Sequence, residues 1–356
     1  MITRILKISP NEVEKDIFLL KEAAIALSRG EVVAFPTETV YGLGADATNH
    51  LAVKKIFELK GRPSDNPLIV HLHSKNQIQN YAYISNELER EIIEKLTPGP
   101  VTIILKKKDI ISEIATAGLE TVGIRIPYNP IAQKLIELSG IPICAPSANI
   151  SGKPSATEAS TVIEEFSGKI PFIIDGGRTH IGIESTVLMV KEEKEKFTIH
   201  ILRPGFITKE DIEDFIKNIN SSKTIEVEYS DKVLDTPLSP GQKYKHYSPK
   251  SNVIVVKNPK NAIDILKEIK NEKIGLLGRT SFIKEMKRIT EYLKIKEIIE
   301  IEWCEYDLID CARNLFFAYR IFDKHNVYAI IVENLEEKGI GYAIMNRVKR
   351  SATYIL

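Results

Sequence analysis

The sequence carries almost no net charge, few cysteines and no long apolar run. Lys and Arg number 49 against 48 Asp and Glu, so no global field recruits nucleic acid or an anionic membrane, and any basic site has to be local. No segment approaches the roughly 18 uninterrupted apolar residues of a membrane-spanning helix. The opening MITRILKISPNEVEKD has charges among its apolar residues and does not read as a leader; the expectation is a cytoplasmic protein. The three cysteines, Cys144, Cys304 and Cys311, form no CxxC pair. Neither a disulfide framework nor a thiolate zinc site is therefore expected, and the cysteines read as small buried side chains. His71 and His73 share a strand face without an acidic or cysteine partner at ligand spacing, so no metal centre is expected either.

The standard nucleotide loops are missing too. In GxxxxGK[ST] the first glycine would fall where Ser147 stands, ahead of the SGK at 151–153, which excludes a Walker-type phosphate loop. GLLG at 275–278 has two glycines of the three that a dinucleotide turn needs and reads as tight packing.

What is present is enough for two cores. At 356 residues, 43% hydrophobic and 27% charged, the chain exceeds the roughly 100–200 residues usual for one domain. Ser9-Pro10-Asn11-Glu12 reads as a capped helix start, followed by Val13, Ile17, Leu20, Ala24 and Leu27 at helical spacing up to Gly30. Short apolar runs then read as strands: EVVAFP, LIVHL, VTIILKK, VGIRIP, IPICAP and STVLMV. Loops rather than helices separate several of them, which predicts a twisted mixed sheet with helices packed on it, α/β in class and α+β-like. Periodicity fades over 219–251, a polar stretch with three prolines that reads as a linker. From 252 strands and helices alternate strictly, predicting a small Rossmann-like parallel α/β domain. The expected boundaries are 1–218, a linker at 219–251, and 252–356.

Five segments, all before residue 251, hold unusual residues for their positions. PTETVYGLGADA (36–47) passes from a strand into a loop bearing Thr37, Thr39, Tyr41 and two glycines, a polar ligand surface or an ornate turn. KGRPSDNPLIVH (60–71) carries Lys60 and Arg62, read as an extended segment aiming two cations one way, as a polyphosphate requires, although a solvated basic turn explains them equally. TVGIRIP (121–127) interrupts an apolar strand with Arg125, which needs a ligand or a salt bridge. APSANISGKPSAT (145–157) offers Ser147, Asn149 and Ser155, and DGGRTHIGIESTV (175–187) ends at Ser185 at a strand start. LRPG (202–205) adds Arg203 before a turn. Clustered Lys, Arg, Ser and Thr without a Walker loop point to an ATP-using enzyme that activates a small carboxylate.

PTETVYGLG, KGRPSDNPL, the arginine within a strand, PSANISGKPS, GIESTV and LRPG, in this order, resemble the YrdC-like family of threonylcarbamoyl-AMP synthases. The resemblance covers roughly residues 15–205, and SPGQKYKHYSP with the βα tail is similar to the family's longer, two-domain form. Gln242 stands where the family usually has Met, and Met189 where Asp is frequent. The resemblance implies that L-threonine, bicarbonate and ATP become threonylcarbamoyl-AMP and pyrophosphate, for the N6-threonylcarbamoyl modification of adenosine in tRNA.

It further implies Lys60 and Arg62 as catalytic groups that offset anionic charge. Thr37, Thr39, His71, Arg125, Ala145 and Ser185 would hold threonine, with Arg125 on its carboxylate. Lys60, Arg62, Asn66, Thr121, Ser147, Asn149, Ser155, Arg203 and Tyr247 would hold ATP. Mg²⁺ would travel on the phosphates rather than in a carboxylate cage. Lys243, Lys245, His246 and Tyr247 would fold over the site as a lid. Other proteins would transfer the product to tRNA, with contact to that machinery possible and no strong direct nucleic-acid binding expected. An RNA-binding module, or an amino-acid or nucleotide sensor without turnover, are the rival readings.

Overall fold

Asn49 starts the helix His50–Lys60 by accepting from the N–H groups of Leu51 and Ala52, and Gly61 ends it at φ 60°, where only glycine sits without strain. Asn129, Pro130 and Gly140 bracket the helix Pro130–Ser139 in the same way. The predicted first cap does not form: the helix starts at Ile17 after Asp16, and Ser9 instead accepts from the N–H of Glu12 in a turn. The apolar stripe is as expected, with Leu20, Ala24 and Leu27 buried.

In this computed structural model residues 1–230, 237–240, 247–304 and 307–356 are described. The chain divides into two units: Met1–Ser151 with Ala156–His180 and Glu184–Tyr244, and Lys245–Leu356 with Gly152–Ser155 and Ile181–Ile183. The first holds a mixed sheet whose strands lie in the order Arg4–Lys7, Phe172–Asp175, Val33–Phe35, Gly42–Asp46, Ile143–Cys144, Ile69–His71, Thr121–Arg125, Val101–Lys107, Thr186–Glu192, Lys196–Arg203 and Thr224–Tyr229. Ala82–Tyr83 pairs with Val101–Lys107 off this path. Parallel and antiparallel pairs alternate irregularly along it, so segments distant in sequence meet at its centre. His71 pairs with Arg125 in the parallel register and with Ile143 in the antiparallel one.

Two local readings change here. Residues 42–46 form a strand rather than a loop, and their glycines serve packing: a Cβ on Gly44 would lie 2.6 Å from the Phe35 ring and 2.7 Å from Ile143. The stretch read as a linker from 219 includes the strand Thr224–Tyr229, which pairs in parallel with Lys196–Arg203 at the sheet edge. Its half-buried alternation, with Glu226 and Glu228 exposed or paired outward, hid it among polar residues.

In the second unit Asn252–Val256, Ile274–Gly278, Ile298–Glu302, Ala329–Glu333 and Tyr354–Ile355 make an all-parallel sheet. The GLLG glycines are packing residues, since Cβ atoms on Gly275 and Gly278 would strike the rings of Phe322 and Phe282. Ala312, Leu315, Tyr319 and Phe322 recur at helical spacing in the helix Leu308–Lys324 and are buried. The cysteine reading is corrected: Cys304 and Cys311 form a disulfide, and Cys144 alone is a free buried thiol. Asp307 caps the helix at Ile309, and the Trp303 indole N–H donates to the Cys311 carbonyl at 2.5 Å, which holds Trp303 against the helix that carries Cys311. Spacing alone hides such a pairing.

Candidate active site

Thr37 and Thr39 follow the strand Val33–Phe35 in a turn held by their own hydroxyls. Thr37 Oγ1 donates to the Val40 carbonyl at 2.6 Å, accepts from the N–H of Thr39, and lies 2.9 Å from Thr39 Oγ1. The Thr39 hydroxyl in turn accepts from Arg125 Nη2 at 2.8 Å. Arg125 ends its strand directly opposite His71 in the parallel register, which brings the threonine turn and the two strands together.

Beside them lies Glu38, which the sequence reading passed over. Its Oε1 is 2.8 Å from Arg125 Nη2, with both side chains almost fully buried (5% and 6% exposed). The angle does not make a hydrogen bond: among the described residues neither carboxylate oxygen of Glu38 accepts one, and Arg125 Nε donates none. Asn66 is also buried, and among the described residues both polar atoms of its amide lack partners. Buried polar groups are almost always hydrogen-bonded. A buried polar group left unmet is the mark of a position whose partner arrives with a ligand.

His71 is buried against this pair. Loss of hydration, followed by the neighbouring Arg125 charge, drives its pKa down to about 3, so the imidazole is neutral at physiological pH. Its Nδ1 is 3.1 Å from the Ile69 carbonyl, and its ring meets Phe35 edge-on at 6.3 Å. The same Ile69 carbonyl accepts from the N–H of Ala145, just past the strand Ile143–Cys144.

A second buried arginine belongs to the neighbourhood, since its charge also lowers the His71 pKa. Arg203 donates through Nε to the Ser185 carbonyl and through Nη2 to Ser185 Oγ, both at 3.0 Å. Ser185 Oγ also meets Thr102 Oγ1 at 2.8 Å. Thr102 was another omission; a lone hydroxyl in the apolar run VTIILKK was its signal.

Lys60 and Arg62 differ from expectation. Lys60 closes a helix and Gly61 turns the chain, so the two cations do not lie on an extended segment. Lys60 is buried, and its ammonium donates to the backbone carbonyls of Ser147, at 2.6 Å, and Asn149. Arg62 is partly exposed and donates to the carbonyls of Asn66 and Pro67 at 3.1 and 3.0 Å. Both cations thereby shape the loops that carry Ser147, Asn149 and Asn66. Ser147 Oγ donates to Asn149 Oδ1 at 2.6 Å.

Thr121 begins the strand that Arg125 ends, about 13 Å away along it. Ser155 and Tyr247 belong to the second unit. Tyr247 stacks on Phe316 with centroids 5.3 Å apart and takes the Arg347 guanidinium over its ring at 5.8 Å. Gln242, Lys243, Lys245 and His246 lie outside the described residues.

Residues 25–205 match the profile of a family designated Sua5, YciO and YrdC and described as "telomere recombination". Residues 207–353 match the threonylcarbamoyl-AMP synthase C-terminal domain. A threonylcarbamoyl-AMP synthase of Pyrococcus abyssi is 43% identical over 342 residues, 94% of each chain. This chain belongs to the Sua5/YciO/YrdC family. A Bacillus subtilis relative of the same designation is 43% identical over 94% of this chain and 92% of its own. Among solved structures, Pyrococcus abyssi Sua5 complexed with L-threonine aligns with TM-score 0.85 and 41% identity over 99% of both chains. The family's two-domain form accounts for both profiles falling on one chain.

Proposed function

We propose that this protein is a threonylcarbamoyl-AMP synthase that joins L-threonine, bicarbonate and ATP into L-threonylcarbamoyladenylate and pyrophosphate. The observation that carries this reading is the 43% identity to enzymes of that designation over 94% of the chain. In the reaction the threonine amine attacks bicarbonate and water leaves; a carbamate oxygen then attacks the α-phosphate and pyrophosphate leaves. All these species are anionic, so positioning and charge stabilisation carry the catalysis.

The geometry supports a division of labour in the first unit. Arg125, with Thr37, Thr39, His71, Ala145 and Ser185, takes the amino acid, Arg125 facing its carboxylate. His71 is uncharged at neutral pH and contributes a hydrogen bond and shape, not charge. Arg62, Asn66, Ser147, Asn149, Arg203 and Thr121 take the nucleotide, the orphaned amide of Asn66 being the best placed to gain from it. Lys60 acts from behind, fixing the loop at 147–149 through its carbonyls. Mg²⁺ would travel with ATP, its ligands supplied by phosphate oxygens and water.

The product supplies the threonylcarbamoyl group for tRNA modification, with transfer by separate proteins. Among the described residues no helix is long and apolar enough to cross a membrane, which suits work in the cytoplasm. Pyrophosphate release with ATP and bicarbonate, with and without L-threonine, tests the reading. Release that requires threonine is expected; a sensor or RNA-binding protein would release none.

A further inference from the structure

We propose that Glu38 binds the α-ammonium group of threonine and completes, with Arg125, a paired site for the amino-acid zwitterion. This rests on the synthase reading above.

A buried carboxylate is expensive unless its oxygens receive donors. Glu38 is buried and has the Arg125 guanidinium 2.8 Å away, yet neither of its oxygens accepts a hydrogen bond among the described residues. Arg125 spends one nitrogen on Thr39 and, among the described residues, leaves Nε without an acceptor. The two side chains therefore lie side by side as opposite fixed charges, each with capacity left over. A carboxylate can accept about four hydrogen bonds; an ammonium brings three donors and a charge. An α-amino acid carries a carboxylate and an ammonium on one carbon, so it can present the opposite pole to each residue at once. Had Glu38 served only to fix Arg125, a well-angled bidentate pair would be the expected geometry, and none forms.

Glu38 also bears on selectivity. A buried polar group left unpaired by the wrong ligand discriminates strongly, so hydroxy acids and other carboxylates lacking an amine leave Glu38 unmet and bind weakly. The reaction needs that amine, which must lose a proton before its nitrogen attacks bicarbonate.

The test is calorimetric binding of two ligands to the full-length protein: L-threonine and (3R)-3-hydroxybutyrate, which keeps the carboxylate and hydroxyl but lacks the ammonium. Wild type should prefer threonine. Glu38→Gln should weaken threonine by about 10–100-fold while leaving the analogue within about twofold, so that the preference collapses. Equal weakening of both ligands in a folded variant would mean that Glu38 only orients Arg125, and would overturn the proposal; so would unchanged threonine affinity. If Glu38→Gln melts early, Glu38→Asp provides the second arm. Retained preference for threonine in it supports the proposal, and equal affinity for the two ligands opposes it. A wild type that binds neither ligand removes the synthase reading itself, and this proposal with it.

Discussion

His71 ties the site to pH. Its folded pKa, about 3, lies below the ordinary 6.5 because burial and Arg125 disfavour the imidazolium. Below pH 6.5 the unfolded chain takes up a proton that the native state refuses, so this group's contribution, complete above 6.5, is lost as pH falls toward 3. The slope is about 1.4 kcal/mol per pH unit. Urea unfolding at pH 7.5 and 5.5 should show about 1.4 kcal/mol less stability at the lower pH from this residue, and His71→Asn should remove that part of the difference. An undiminished difference would show that other groups carry it.

Lys60 and Arg62 separate at the same scale. Lys60→Ala removes the donor to the backbone carbonyls of Ser147 and Asn149 and should cost about 1–3 kcal/mol of stability as well as activity. Arg62 is partly exposed, and Arg62→Ala should lower activity with a smaller change in melting temperature. Comparable melting of the two variants would contradict the structural role given to Lys60. Much of this residue-level picture was legible beforehand: the hydroxyls of Thr37 and Thr39, Arg125, Ser185 and Arg203 do share one neighbourhood. Glu38 was not read, although it stands between two chosen threonines, because a glutamate in a loop is usually solvated and only burial distinguishes this one.

At the scale of elements, the strand Gly42–Asp46 shows why composition misled. Two glycines and a preceding Thr-rich turn read as loop, but the glycines admit the Phe35 ring against the sheet. Gly44→Ala should cost about 1–3 kcal/mol through overpacking and disturb the turn at Thr37 and Thr39, raising the KM for threonine. Normal stability and KM in that variant would mean that Phe35 moves aside freely. The βα alternation of the second unit was legible because Asn252–Val256, Ile274–Gly278 and Ala329–Glu333 are largely apolar runs separated by helical segments. The strands Arg4–Lys7 and Tyr354–Ile355 were not, being short, exposed and at sheet edges.

For the whole molecule, sequence pattern gives a mixed sheet followed by a parallel one, but not the strand order that sets His71 between Arg125 and Ile143. That order comes from pairings between segments far apart in the chain, which no local periodicity records. It is also what gathers two buried arginines, a neutral histidine and a carboxylate that accepts no hydrogen bond among the described residues. The most direct measurement of what this gathering does is mass spectrometry of the product formed from L-threonine, ATP and isotopically labelled bicarbonate. The account predicts an adenylate containing threonine and one labelled carbon, with pyrophosphate in equal amount. Plain threonyl-AMP without the label, or no adenylate at all, would contradict it.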